Sequence, residues 1–129
     1  MNDARFEKGL QIRREVLGDA YVDRALAQAD AFSQPLQELV TEYCWGTVWA
    51  RSDLARSERS LINLAMISAL NRPHELKIHV KGALRNGVPR EKIREALLQV
   101  AVYCGVPAAV DSFRIAREAI AEFDTADPA

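Results

Sequence analysis

Residues 72–107 read RPHELKIHVKGALRNGVPREKIREALLQVAVYCGVP, and the punctuation of this stretch decides the fold class. Proline stands at 73, 89 and 107, each time where an apolar pattern opens. There its fixed φ suits the first helical turn, and its missing N–H leaves no bond unmade. Glycine stands at 87 and 105, where the patterns stop and a left-handed helix end is favoured. Between these marks apolar residues recur at three- and four-residue spacing: Leu76, Val80, Ala83 and Leu84, then Ile93, Ala96, Leu97, Val100 and Ala101. The stretch predicts two helices, over 73–86 and 89–104.

The same logic extends in both directions. Gly18 closes one apolar pattern and Pro35 opens another, with Leu36, Leu39, Val40 and Tyr43 following at helical spacing. Leu61, Leu64, Ala65 and Ser68 continue the theme, as do Val110, Phe113 and Ile120. About seven helices are expected, over 3–17, 19–31, 34–49, 57–71, 73–86, 89–104 and 107–123. No stretch alternates with period two between turn residues, so no sheet is expected. The chain therefore reads as all-α, a single-domain orthogonal helix bundle spanning 1–129. Residues 124–129 lack periodicity and are expected to fray.

Composition narrows the function. Of 129 residues, 49% are hydrophobic and 27% charged, enough apolar matter for a core and too much for a disordered chain. Lys and Arg number 17 against 18 Asp and Glu, a net charge of -1, without the basic stripe that nucleic-acid binding demands. The longest apolar run, around Leu64–Ile67, is far short of the ~20 residues of a membrane span. The opening residues, MNDARFEKG, carry charge and no apolar export signal, so a cytoplasmic location is expected. Cys44 and Cys104 form no C-x-x-C pair and are expected to be small buried hydrophobes. Helix 57–71, with LINLAMISAL at its centre, is apolar on almost every side and needs more cover than one small chain supplies. A homo-oligomer, trimer or hexamer, is the expectation.

Both histidines lie in the stretch quoted first. HELKIH looks like the H-E-x-x-H zinc pattern but has one residue too many. His74 and His79 then diverge by about 140° around the helix and cannot share one metal. With Leu76, Val80, Ala83, Leu84 and Gly87 as the buried stripe, His74 falls with Lys77, Lys81 and Arg85 on the solvated side. His79 lies at the edge of the stripe, one turn after Glu75 and one turn before Gly82 and Asn86. The i, i+4 spacing lets the Glu75 carboxylate orient the imidazole and raise its pKa, as an acid/base histidine requires. Gly82 costs about 1 kcal/mol against alanine within a helix, and close helix approach or room for a ligand would explain it. A plain surface Glu–His pair with a packing glycine is the other reading of the same residues.

The strings YCWGTVWAR (43–51) and SERSLINLAMISALNRPHELKIHVKGALRNGVPREKIREALLQVAVYCGVPAA (57–109), preceded by ARFEKGLQIRREVLGDAYVDRALA (4–27), resemble the 4-carboxymuconolactone decarboxylases. The likeness runs from residue 5 to about 118, and its pieces WG-x-V-W, RSL, EL-x-x-H, ALRNG and YCGVPAA occur in the family's order. It implies the alkylhydroperoxidase-D-like fold. Relatives with peroxidase chemistry carry C-x-x-C ahead of the histidine, whereas here Arg72 and Glu75 occupy those positions.

The resemblance implies a carboxy-lyase that removes CO2 from 4-carboxymuconolactone to give 3-oxoadipate enol-lactone, in protocatechuate catabolism through the β-ketoadipate pathway. It needs no cofactor, because the departing electrons spread into the substrate's own lactone carbonyl. Three tasks remain for the protein: hold a dianion, stabilise developing charge and deliver a proton to carbon. Arg59, near the start of its helix, and Arg72 are the candidates for the carboxylates. His79, tuned by Glu75, is the candidate acid. Trp45 and Tyr103 are candidates for pocket walls or a hydroxyl donor, and Cys104 for the lining. Another small-molecule enzyme of the superfamily, or a non-catalytic helical assembly module, would share parts of this pattern.

Overall fold

The computed structural model describes residues 2–126. Its elements are α1 (Asp3–Leu17), α2 (Asp19–Ala27), α3 (Gln34–Leu39), a π-helix (Val40–Val48), α4 (Arg56–Ala69), α5 (Pro73–Arg85), α6 (Arg90–Cys104) and α7 (Val106–Ala126). The fold is all-α, with no strand among the described residues. The chain forms two compact units, one ending at Ala55 and one beginning at Arg56.

The helix boundaries follow the expected punctuation. Pro35 and Pro73 occupy first-turn positions, and Pro89 is the N-cap of α6. Gly18, Gly87 and Gly105 all adopt positive φ, at 89°, 83° and 106°, the conformation that costs an L side chain most. Asn71, with φ 57°, closes α4 in the same way, so that helix stops at Ala69 rather than 71.

Three further boundaries depart from the sequence reading. Helix α2 ends at Ala27, not 31. Beyond it the Asp30 carboxylate accepts from the amides of Phe32 and Ser33 while Ser33 Oγ accepts from the Asp30 amide, a reciprocal cap that favours a turn over more helix. The expected helix 34–49 changes type at Val40, where i→i+5 bonding takes over, as in Trp49 N–H to Cys44 O at 2.9 Å. Helix α7 continues through Ala126, so the expected frayed tail is helix over 124–126, and 127–129 lie outside the described residues.

In the first unit α1 lies directly on the π-helix. A Cβ on Gly9 would stand 2.0 Å from Thr41 O, and one on Gly46 would stand 2.3 Å from Arg5 O. Only glycine lets these backbones approach so closely. Ile12, Val16, Leu17, Val22, Trp45 and Trp49 are buried here, and the two indoles stack at 4.7 Å.

The second unit has its own core: Leu64 from α4, Leu76, Val80 and Ala83 from α5, Val88, Ile93 and Leu97 from the α6 region, and Ile115, Ala116 and Ala119 from α7. One face of α5 turns toward α7. Lys77 and Lys81 pair with Glu122, and Arg85 stacks over Phe123. That face was expected to be solvated; α7, unplaced by sequence, covers it with acids and an aromatic ring. Gly87, expected in the buried stripe, is exposed, because it forms the turn after α5.

Candidate active site

Helix α5 presents three faces. Leu76, Val80 and Ala83 enter the core, while Lys77, Lys81 and Arg85 meet α7. The third carries Glu75, His79, Gly82 and Asn86, the polar seam expected from their spacing. Asn86 marks where this face meets α4, since its Nδ2 donates to Ser60 Oγ at 2.9 Å. Ser60 is 1% exposed. Sequence reading overlooked it; its only trace was a small hydroxyl, repeated at Ser68, within the stripe of three residues at four-residue spacing, Ser60, Leu64 and Ser68, that α4 buries.

The two histidines differ as expected in position. His74 is exposed and His79 half-buried. Their electrostatics correct one expectation. Burial pushes the His79 imidazole down to about 4, and the Glu75 carboxylate, which acts in the opposite direction, only partly offsets this. Taking a cation out of water outweighs one exposed neighbouring charge. The resting His79 is therefore a neutral imidazole.

The candidate arginines stand at opposite ends of the α4–α5 pair. Arg59, half-buried, adjoins Ser60 and so lies level with Asn86. Arg72 caps the start of α5 and lines a small cavity, about 90 Å³, with Ser68, Asn71, Leu76 and Ser112. His79 is seven residues from Arg72 and seven from Asn86, about 10 Å of helix rise in either direction. It stands midway between them.

The remaining candidates lie on other elements. Tyr103 and Cys104 end α6, and both are exposed. Cys44 is half-buried and its thiol is pushed up by burial. The expectation of two buried cysteines fails at Cys104, which sits at a helix end beside the Gly105 turn. Trp45 belongs to the first unit, buried and stacked on Trp49.

Chemically, the face on α5 offers a neutral, partly desolvated imidazole with a carboxylate one turn away and a guanidinium toward each end. Such a group is poised to exchange a proton with a bound anion, because an arriving negative charge raises the imidazole pKa.

Residues 34–118 match the carboxymuconolactone decarboxylase family. A nitrosuccinic acid decarboxylase of Metarhizium robertsii is 44% identical over 89% of this chain and 80% of its own length. A 4-carboxymuconolactone decarboxylase of Acinetobacter baylyi is 38% identical over 92% of this chain and 89% of its own. The family match runs from the start of α3 into α7 and contains both α5 and the RSL segment of α4. The chain belongs to the carboxymuconolactone decarboxylase family.

Proposed function

We propose that this protein is a cofactor-independent carboxy-lyase that converts 4-carboxymuconolactone to 3-oxoadipate enol-lactone and CO2. The observation that carries the reading is the half-buried His79 on α5, with Glu75 one turn before it and Arg59 and Arg72 toward opposite ends of the helix pair. The similarity to the Acinetobacter baylyi enzyme over most of both chains supports the substrate.

The chemistry follows from the substrate. The scissile carboxylate sits on a ring carbon conjugated through a double bond to the lactone carbonyl. Breaking the C–C bond releases CO2 and leaves its electron pair as a dienolate. One proton, delivered to the carbon next to the carbonyl, completes the enol-lactone. Arg59 and Arg72 are the proposed holders of the carboxylates, and a permanent charge with forked donors suits that task. His79 is the proposed proton donor. Its pKa rises as the dianion binds, so a proton is taken up with the substrate and then passed to carbon.

The similarity to a nitrosuccinic acid decarboxylase favours a second substrate of the same design. Both molecules are succinates in which one carboxylate sits on a carbon activated by an electron-withdrawing group. For nitrosuccinate the electron pair would pass into the nitro group and the proton would return to the same carbon. The two readings share every protein residue named above.

The test is to mix the purified protein with each compound, in the presence of EDTA and without added cofactor. CO2 release with enol-lactone formation supports the first reading, and turnover of nitrosuccinate alone supports the second. Failure to turn over either compound, or activity that EDTA removes and one metal restores, would overturn the mechanism.

A further inference from the structure

The first unit buries a cation that the chemistry above does not use. Arg13, on α1, is 5% exposed. Its Nη1 donates to Gln37 Oε1 at 3.0 Å and to Thr41 Oγ1 at 3.2 Å. Both acceptors are neutral, and the Thr41 hydroxyl proton is itself committed to Gln37 O at 2.7 Å. The guanidinium Nε is buried with no acceptor among the described residues. The groups whose fields bear on Arg13 are Tyr21 and Cys44, neither of them a carboxylate, and burial keeps the Cys44 thiol protonated.

A guanidinium does not shed its proton in a protein. A buried charge without a counter-charge is strongly unfavourable, so an arginine placed like this one invites an anion. The placement is built into the backbone. Gly9 and Gly46 let α1 press against the π-helix, and Arg13 follows Gly9 by one turn, beside Thr41. With Nη1 occupied, the edge formed by Nε and Nη2 is left. That edge has two parallel N–H groups, the spacing that matches the two oxygens of a carboxylate. A single negative charge balances the single positive one, whereas a phosphate dianion would leave a charge buried in excess.

We propose that the first unit holds a carboxylate-binding site at Arg13, in which the Nε/Nη2 edge takes a small organic acid as a two-pronged pair. Its residues are not those proposed for proton transfer on α5, and its test is independent of turnover.

Trp45 and Trp49, the chain's two tryptophans, are both in the first unit, and Trp45 adjoins Cys44 in the π-helix, so intrinsic fluorescence reports on this unit. Wild-type protein is titrated with sodium acetate against sodium chloride at matched ionic strength, and Tm is followed in parallel. The expected result is a saturable fluorescence change with acetate alone and a Tm that climbs with acetate concentration. Arg13→Gln, which removes the charge, is expected to lose the fluorescence response, and Arg13→Lys, which keeps the charge without the fork, to weaken binding at least tenfold. Arg24→Gln, an exposed arginine of the same unit, is expected to retain it. A fluorescence response to acetate that survives in Arg13→Gln, or that disappears in Arg24→Gln instead, would overturn the proposal. Should the Arg13 variants not fold, the wild-type titration still decides. No acetate response beyond that of chloride would mean that water or an acid of a second copy already satisfies Arg13, and the site does not exist.

Discussion

His79 rests with its pKa pushed down to about 4 by burial, while Glu75 pulls the other way. A proton donor with that resting state must gain its proton when the dianion arrives. The pKa seen in kcat, which belongs to the complex, should therefore lie above the one seen in kcat/KM, which belongs to the free enzyme. Glu75→Gln removes the contribution that raises the imidazole pKa. An acid acts only while protonated, so the alkaline fall of activity should move to lower pH in this variant, and a move to higher pH would contradict the pairing. His79→Ala should lower kcat by ~10²–10⁴-fold, the usual worth of a positioned general acid. His74→Ala should be nearly silent, since that ring is exposed. Steady-state kinetics of the two variants side by side check the assignment, and full kcat in His79→Ala would end it.

At the scale of elements, the junction of α1 and the π-helix is the least forgiving. In Gly9→Ala the new methyl would meet Thr41 O at 2.0 Å and Gly46 N at 2.7 Å. Backbone cannot swing aside as a side chain can, so the helices must separate. Overpacking of this kind costs roughly 1–3 kcal/mol. Chemical denaturation should show that loss, with the fluorescence of the stacked Trp45–Trp49 pair altered in the native state. Gly87→Ala, at an exposed turn with nothing within 4 Å of the added methyl, pays only for its positive φ and should lose less. Equal losses at the two positions would argue that steric approach is not what glycine supplies at 9.

At the scale of the whole molecule, the second unit leaves apolar surface uncovered. Ser60, Leu64 and Ser68 form the buried side of α4, while Ile62, Met66 and Leu70 point outward. Leu98 and Val102 on α6 and Val106 and Val110 on α7 are exposed too. Ile62, Met66 and Leu70 follow one another at four-residue spacing, and an exposed apolar stripe of this kind marks protein contacts. The expected homo-oligomer, trimer or hexamer, would bury it. Light scattering at micromolar concentration should give a mass several times the 14.4 kDa of one chain. A monomer would refute the assembly. Ile62→Lys with Met66→Glu should shift any assembly through this face toward smaller species. No described helix is long and apolar enough to cross a membrane.

Sequence alone determined the all-α class and most helix ends, because proline, glycine and 3.6-residue spacing act within one or two turns and need no partner. It also determined the relation of Glu75 to His79 and the separation of His79 from His74, since both are properties of one helix. What lay between helices was decided only in three dimensions. Lys77, Lys81 and Arg85 read as a solvated face until α7 brought Glu122 and Phe123 against them. Ser60 had no visible role until Asn86 reached it across the α4–α5 pair. The π-turn arose where α1 packs on 40–48 through Gly9 and Gly46, a contact between residues more than thirty apart. The net shift of His79 was legible only in part: the carboxylate that raises its pKa is a neighbour on the same helix, and the burial that lowers it further comes from packing, which no local spacing records.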